Sequence, residues 1–582
     1  MYTMEKSKDN LRILKVKTNN KEKYLGSYYN HKKDIDDFIN DIGEINNGTI
    51  IITYGVCDGE YLLELSRIKD KTFKVIVFEK DIDLISNIYE DKYYNDFTKD
   101  ERIKIFNYDE KNIELIFSLE FDLVNIYNVR VVNNKVLNEY NYEECIYISK
   151  CLKKFIVHNI IEHNTINHFS ERWFESFIKN FKYNLNSVFL EDLTDKFKNK
   201  PAIVLSAGPS LEKNIALLKE CHEKFIIISG GRTLSKLKEI GVKPDFFVMI
   251  DGDEIAYDLV KENLNWDIPL IFSSATNEKI LENHLGSKIS DFSGIDFTGT
   301  VIKRNFRPRV GSGSVAHVCI NSAIDFGCNP VIFMGQDLAY TNDKVHAEFC
   351  EAKEDKYKHE EVVSNVQSQH DIFVDDIYGN KVRTSRSLNM FRENIEAIIK
   401  YNKDTKFINC TEGGANIKGS EVKTLREVID LYENSEKINK NLELKPTLTK
   451  KQKDLVINEF EKTIGYLKDI KIKCNKLLEF NKKLKSLYNK NKLFDYDKIA
   501  KKMDILEEEL KELYLKVPYI KSLIYPIVMN VEINPLWMDK DGDSKEEKFK
   551  KFYDKTRFLY ETMKKKAEYA FNFIDKECNI SE

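Results

Sequence analysis

Long apolar runs, a surplus of basic charge and paired cysteines are all missing from this 582-residue chain. No stretch approaches the roughly 20 apolar residues of a membrane span. The opening MYTMEKSKDN lacks the apolar centre of a signal peptide. Lys and Arg number 91 against 95 Asp and Glu, a formal net charge of −4. That balance argues against a nucleic-acid partner, which calls for a basic excess. The ten cysteines stand singly, without a CxxC pair or Cys/His ligand spacing, so reduced thiols and a cytoplasmic location are expected, with no membrane partner and no metal centre of cysteines. Hydrophobic residues at 42% and charged residues at 32% describe a globular chain, long enough for two to four domains.

Three segments differ in character. Over 1–165, apolar runs alternate with helical patterns. Strands are expected at Thr49–Tyr54, 74–78 and 121–127, the rhythm of an α/β domain with a parallel sheet. Gly55 and Gly59, followed by Glu79 at the end of the next strand, form an incomplete dinucleotide or S-adenosylmethionine fingerprint. With one glycine missing, a scaffold that keeps the turn without the ligand is the preferred reading. Over 166–425, six apolar runs (IVLSAGPSL, KFIIISGGR, DFFVMIDGD, PLIFSSAT, NPVIFMGQD and KFINCTEGG) each end in small or polar residues. In a Rossmann-like, mostly parallel sheet those turns converge on one rim, where ligands bind. Over 426–582, Pro and Gly thin out. Leu455, Phe460, Ile464, Leu467 and Ile470 fall at helical spacing, which predicts a C-terminal helical bundle.

The rim supplies the candidate chemistry. Ser206, Ala207, Gly208, Pro209 and Ser210 read as a strand turning into a helix start, whose small residues and free amides suit an anionic group. Gly230, Gly231, Arg232 and Thr233 leave room for a flat ring or ribose, with Arg232 available to phosphate. Asp251 and Asp253 flank a glycine. Contacts to ribose or base are the first reading for them, and a magnesium ion holding a diphosphate is the lesser one. Arg304, Arg307 and Arg309 precede Ser312, Gly313 and Ser314, pairing guanidinium with a small-residue turn. Gln336, Asp337 and Tyr340 follow another strand, with His346 beyond them as a candidate for proton transfer or for holding a leaving phosphate. Gly413 and Gly414 close the rim.

These blocks together, AGPSL at 207–211, IGVKPDFFVMIDGD at 240–253, GSGSVAH at 311–317, GQDLAYT at 335–341 and TEGGA at 411–415, resemble the Maf (motility accessory factor) flagellin glycosyltransferases. Their core is in turn similar to bacterial CMP-sialyltransferases, with Gly208, Arg309 and Ser312 at matching places. The sialyltransferases carry an asparagine where Ala207 stands and a histidine base where this chain has none, and Tyr340 and His346 are each shifted by one place. The resemblance implies transfer of a nonulosonic acid (of the pseudaminic, legionaminic, sialic or Kdo type) from its CMP ester to Ser or Thr of flagellin. CMP-sugar would be the donor, no resident cofactor would be required, and the base would be His346 or one of Asp251, Asp253 and Asp337. A homo-oligomer is compatible with the sequence. Two rival readings are a flagellin-binding chaperone without catalysis and a pyrophosphoryl transferase like the 6-hydroxymethylpterin diphosphokinases, which share the GPSL and DGD blocks.

Overall fold

The computed structural model describes residues 2–18, 21–69, 71–121, 125–135, 141–292, 297–304, 306, 313–350, 372–534, 536–538 and 542–578. They fall into two compact units. The first comprises Met1–His168, Leu478–Ile499 and Tyr525–Thr562, the second Phe169–Leu477, Ala500–Ile524 and Met563–Glu582. Residues 426–582 are thus shared between the units, and the chain passes from one to the other at 168–169, inside the helix Tyr142–Leu185.

In the first unit, β1 (Tyr2–Lys6), β2 (Arg12–Thr18) and β3 (Lys21–Tyr24) form an antiparallel meander. A parallel four-stranded sheet follows in the order β6-β5-β4-β7, from β4 (Thr49–Tyr54), β5 (Phe73–Glu79), β6 (Ile103–Asn107) and β7 (Val129–Val131). The run TIIITY is buried throughout, as both faces of a covered parallel strand require. The strand expected over 121–127 is displaced: Asn125–Tyr127 is a 3-10 turn, the strand begins at Val129, and residues 122–124 lie outside the described set.

The glycine turn after β4 is filled by its own side chains. Gly59 is left-handed, and a Cβ there would stand 2.9 Å from the Tyr94 ring. The Glu79 carboxylate accepts from Val56 N and Asp81 N, each at 2.9 Å. Glu79 is therefore committed to its own backbone. Beside it, buried His31 places Nε2 2.8 Å from Asp58 Oδ2 and Nδ1 3.5 Å from Asp34 Oδ2. Burial opposes its protonation, but Asp58 and then Asp34 outweigh burial and raise its pKa. A histidine raised on folding contributes stability that is full below its unfolded value of about 6.5 and is lost as pH climbs through the folded value. His31→Gln is therefore expected to cost more stability at pH 6 than at pH 9, measured by urea midpoints; an equal loss at both would refute the ion pair.

The second unit holds a nine-stranded, wholly parallel sheet in the order β18-β17-β14-β9-β10-β11-β12-β13-β8. Its strands are β8 (Val188–Phe189), β9 (Ala202–Leu205), β10 (Ile226–Gly230), β11 (Phe246–Met249), β12 (Leu270–Ser273), β13 (Lys288–Asp291), β14 (Val331–Met334), β17 (Phe407–Asn409) and β18 (Glu421–Val422). A separate hairpin joins β15 (Ile372–Asp375) to β16 (Lys381–Thr384). All six expected runs are strands.

Alternate residues of these strands serve opposite layers. Val204, Ile228, Val248 and Phe333 pack with Cys319 and Ile320 of the helix Val315–Asp325 and with Ile395 and Ile398 of the helix Arg386–Tyr401. Ile203, Leu205, Ile227 and Met334 pack with Leu211, Leu218 and Leu425. Each fully buried aliphatic side chain contributes about 1.5–3 kcal/mol, so the sheet is fixed from both sides. In the helix Lys450–Asn489, Phe460, Ile464, Leu467 and Ile470 are buried as expected, but the stripe begins at Val456, and Leu455 is 45% exposed.

From β9 the chain builds outward through β10, β11, β12 and β13, then returns to the other side of β9 with β14 and β17. The direction of winding reverses between β9 and β14. In open α/β sheets the crevice at such a reversal, outside the carboxyl ends, is where ligands bind.

Candidate functional site

A cavity of about 350 Å³ lies at that crevice, within the roughly 300–1,000 Å³ of small-molecule sites. Ser206, Ala207 and Gly208 line it from the β9 turn, and Gly230, Gly231, Arg232 and Thr233 from the β10 turn. Asp251 and Asp253 follow β11, Gly313 and Ser314 open the helix Val315–Asp325, and Gln336, Asp337 and His346 come from the β14 loop. Of the six turns expected on the rim, those after β9, β10, β11 and β14 line this one space, and those after β12 and β17 do not. Pro209, Ser210, Tyr340, Gly413 and Gly414 do not line it, and Arg307, Arg309 and Ser312 lie outside the described residues.

Asp337 ties the floor together. Its buried carboxylate accepts from Ser210 Oγ at 2.6 Å, from Thr341 Oγ1 at 2.7 Å and from Ser210 N at 3.2 Å. Its backbone carbonyl accepts from Ala415 N at 2.7 Å. Burial raises its pKa, against the lowering effect of the Ser210 and Thr341 bonds. These bonds consume the Ser210 amide that the sequence assigned to a ligand. They also place Asp337 in a supporting role.

The glycines around Asp337 exist for the same reason. A Cβ on Gly208 would fall 2.1 Å from Asp337 Oδ2 and 2.5 Å from the Gly335 carbonyl; one on left-handed Gly414 would fall 2.3 Å from the Asp337 carbonyl. A Cβ on Gly413 would reach Ser210 at 3.1 Å. Gly413 and Gly414 thus admit the Asp337 loop and do not form the cavity wall. Leu338, the next residue, sits at φ 51, a left-handed conformation that costs a branched side chain energy and that the surrounding bonds must hold.

Other candidates sort by what their polar atoms already touch. The Asp253 Oδ1 accepts from Ala256 N at 2.7 Å, capping the helix Glu254–Val260. Thr233 Oγ1 donates to the Gly230 carbonyl at 3.0 Å. Ser206 Oγ bonds Gln336 Oε1. Tyr340 is turned to the hairpin: its amide donates to the Arg383 carbonyl and the Arg383 guanidinium covers its ring at 5.0 Å. Arg304, the one described member of the expected arginine cluster, pairs with Asp192 at 2.6 Å and is absent from the cavity wall. Arg232 and His346 also line the cavity; the Arg232 guanidinium donates to the Cys350 carbonyl at 3.3 Å, and Ala347 N ties the His346 loop to the Ala207 carbonyl at 2.9 Å. The amino end of the eleven-residue helix Val315–Asp325 adds partial positive charge at the wall, with Ser314 Oγ capping Ala316 N.

Asp251 differs from its neighbours. Its carboxylate reaches solvent through the cavity and has no hydrogen-bond partner among the described residues. Enclosure by protein on its other sides raises its pKa, Asp253 raises it further, and Arg232 pulls it down. The turn carrying it is fixed from behind. Asn277 N donates to the Asp251 carbonyl at 3.0 Å, and Arg172 Nε and Asn277 Nδ2 donate to the Gly252 carbonyl at 2.6 and 3.2 Å.

Sequence reasoning missed the apolar wall made by Ile255, Leu259, Val315, Leu388 and Phe391. The signal was present in the helix Arg386–Tyr401, where 388, 391, 395 and 398 repeat at helical spacing. The last two enter the core, and the first two continue the same stripe into the cavity.

The arrangement defines a Rossmann-like fold with a cavity at the strand-order reversal. Residues 175–343, which supply most of that site, match the family model described as 6-hydroxymethylpterin diphosphokinase MptE-like. The architecture extends further. A Maf glycosyltransferase structure from Magnetospirillum magneticum AMB-1 superimposes with a TM-score of 0.60, covering 99% of this chain and 94% of that one at 12% identity. That likeness is one of fold. An uncharacterized protein of Treponema pallidum (strain Nichols) is 31% identical over 90 residues, 16% of this chain and 42% of that protein's length.

If Gly208 is dictated by Asp337, Gly208→Ala destabilises the protein by about 1–3 kcal/mol. Gly230→Ala, whose Cβ would meet Val315 at an ordinary 3.4 Å, stays within about 0.5 kcal/mol of the parent. Denaturant midpoints check both, and equal effects would remove the steric argument.

Proposed function

We propose that this chain is a glycosyltransferase that moves a nonulosonic acid from its CMP ester to serine or threonine hydroxyls of flagellin, in the cytoplasm. The observation that carries the reading is the cavity at the β9/β14 reversal in a chain that shares its fold, end to end, with a Maf glycosyltransferase. The donor bears a phosphodiester and a carboxylate. Arg232, His346 and the amino end of the helix Val315–Asp325 offer positive charge to such a ligand. CMP leaves as an anion, so groups already oriented toward it also stabilise the transition state. The apolar wall around Leu388 and Phe391 suits the flat face of a base or ring.

A second reading, pyrophosphoryl transfer from ATP, is favoured by the family match over 175–343. The two differ in ligand. Calorimetry with CMP and with ATP plus magnesium separates them, and binding of ATP with no binding of CMP would overturn the first. Arg232→Ala is expected to weaken CMP by about 10- to 100-fold, the worth of one charge-assisted hydrogen bond of about 1.5–3 kcal/mol. The reaction itself is tested by co-expression with flagellin in a host that makes a CMP-nonulosonic acid. Intact mass should rise by whole sugar units, and no added mass with donor present would refute the transfer.

A further inference from the structure

Four groups at or beside the cavity have the chemistry to accept a proton from an incoming hydroxyl: His346, Asp337, Asp253 and Asp251. Asp337 is saturated by Ser210 and Thr341, and Asp253 caps a helix. Both oxygens of Asp337 hold the floor, so using it as a base would break a contact at every turnover, while Asp253 is committed to the helix start through Oδ1. The other two, His346 and Asp251, line the same cavity from the turns of different strands.

The His346 loop leaves β14 and is tied to the Ala207 carbonyl of the β9 turn. The same loop accepts from the β10 turn through the Cys350 carbonyl, which takes a bond from the Arg232 guanidinium at 3.3 Å; the His346 loop thus lies along the β9 and β10 turns, beside the crevice where a nucleotide phosphate is expected. Asp251 follows β11. In the order β14-β9-β10-β11, with strands about 4.8 Å apart, it lies about 10 Å from β9 and about 14 Å from β14 along the rim. In the orientation proposed here, a nucleotide-sugar with its phosphate at the crevice runs its transferred group across β10 toward β11. Asp251 therefore addresses the sugar and acceptor end of the cavity, and His346 the leaving-group end.

We propose that Asp251 is the general base of the transfer, a reading that rests on the donor assignment above. The acceptor oxygen forms a bond to the anomeric carbon, and the bond from that carbon to the phosphate oxygen breaks, with both electrons leaving on CMP. The hydroxyl proton passes to an Asp251 carboxylate oxygen and then to water. Asp251 suits this task because no hydrogen bond to a described residue has to break when it takes the proton. The bonds from Asn277 and Arg172 to the carbonyls of Asp251 and Gly252 keep its backbone still. Its raised proton affinity, from enclosure and Asp253, favours the same role.

Asp251→Asn keeps the shape and removes the base. The expected result is a folded protein whose CMP affinity by calorimetry is within about twofold of the parent and whose transfer to flagellin falls by about 100-fold or more. Azide has no proton to give up, so adding it to purified Asp251→Asn with the CMP-nonulosonic acid should restore CMP release. Two outcomes would overturn the assignment with the donor reading intact: transfer within about threefold of the parent, or loss of CMP affinity by tenfold or more, which would make Asp251 a ribose contact. Absence of CMP binding by the unaltered protein is a separate failure; it would remove the donor reading and the base assignment together.

Discussion

The buried carboxylate of Asp337 is the constraint on which the site depends. Three turns of a parallel sheet end side by side, and each carries backbone groups that the ladder no longer pairs. Asp337 accepts from the β9 turn through Ser210 and from its own loop through Thr341, and its carbonyl accepts from Ala415 beyond β17. An ion placed that deep is unfavourable unless several donors surround it, and here they do. The result is a floor without slack, in which Gly208 and Gly414 are glycines because the Asp337 loop occupies the space a side chain would need. Leu338, next in the chain, is held in a left-handed conformation beside that floor.

That floor explains how acidic residues with similar surroundings come to differ. The Asp337 carboxylate is engaged by the β9 turn and its own loop, and Asp253 Oδ1 by a helix start. Asp251 has backbone support and no described side-chain partner. On the proposed transfer, position along the strand order then divides the cavity, with Arg232 and the helix Val315–Asp325 between the end assigned to the leaving anion and the end assigned to the hydroxyl. A parallel sheet makes this division without further machinery, because each strand delivers its turn at a fixed spacing from the last.

Much of this was legible in the residues. IVLSAG, IIISGG, FFVMIDGD and VIFMGQD announced both the strands and the rim, since apolar runs ending in small or acidic residues have few other uses in an α/β chain. What the sequence hid was the partner of each polar atom. Ser210 and Gly413 have the residue types of a ligand turn, yet Ser210 bonds Asp337 across 127 positions, and a side chain on Gly413 would run into Ser210. Arg304 stood in an apparent arginine cluster, but Asp192, far away in sequence, claims it. The short strands β8 and β18 have two residues each, too few for any period to show. The Leu388–Phe391 wall was readable as a helical stripe but carried nothing to separate cavity from core.

The two parallel sheets of this chain make the same point from opposite directions. Each has a strand, a glycine-bearing turn and an acidic residue one strand away. In the first unit the acid is Glu79, and the amides of Val56 and Asp81 take both of its oxygens, while Tyr94 fills the space beside Gly59. In the second unit the corresponding turn is packed just as tightly, but the acid that fills it is Asp337, brought from a strand on the far side of the reversal. Because Asp337 supplies the structural carboxylate, Asp251 is spared that task. A glycine-rich turn therefore says little about a ligand until the carboxylates nearby have been assigned to the backbone or left over from it, and it is the one left over, Asp251, that the proposed transfer uses.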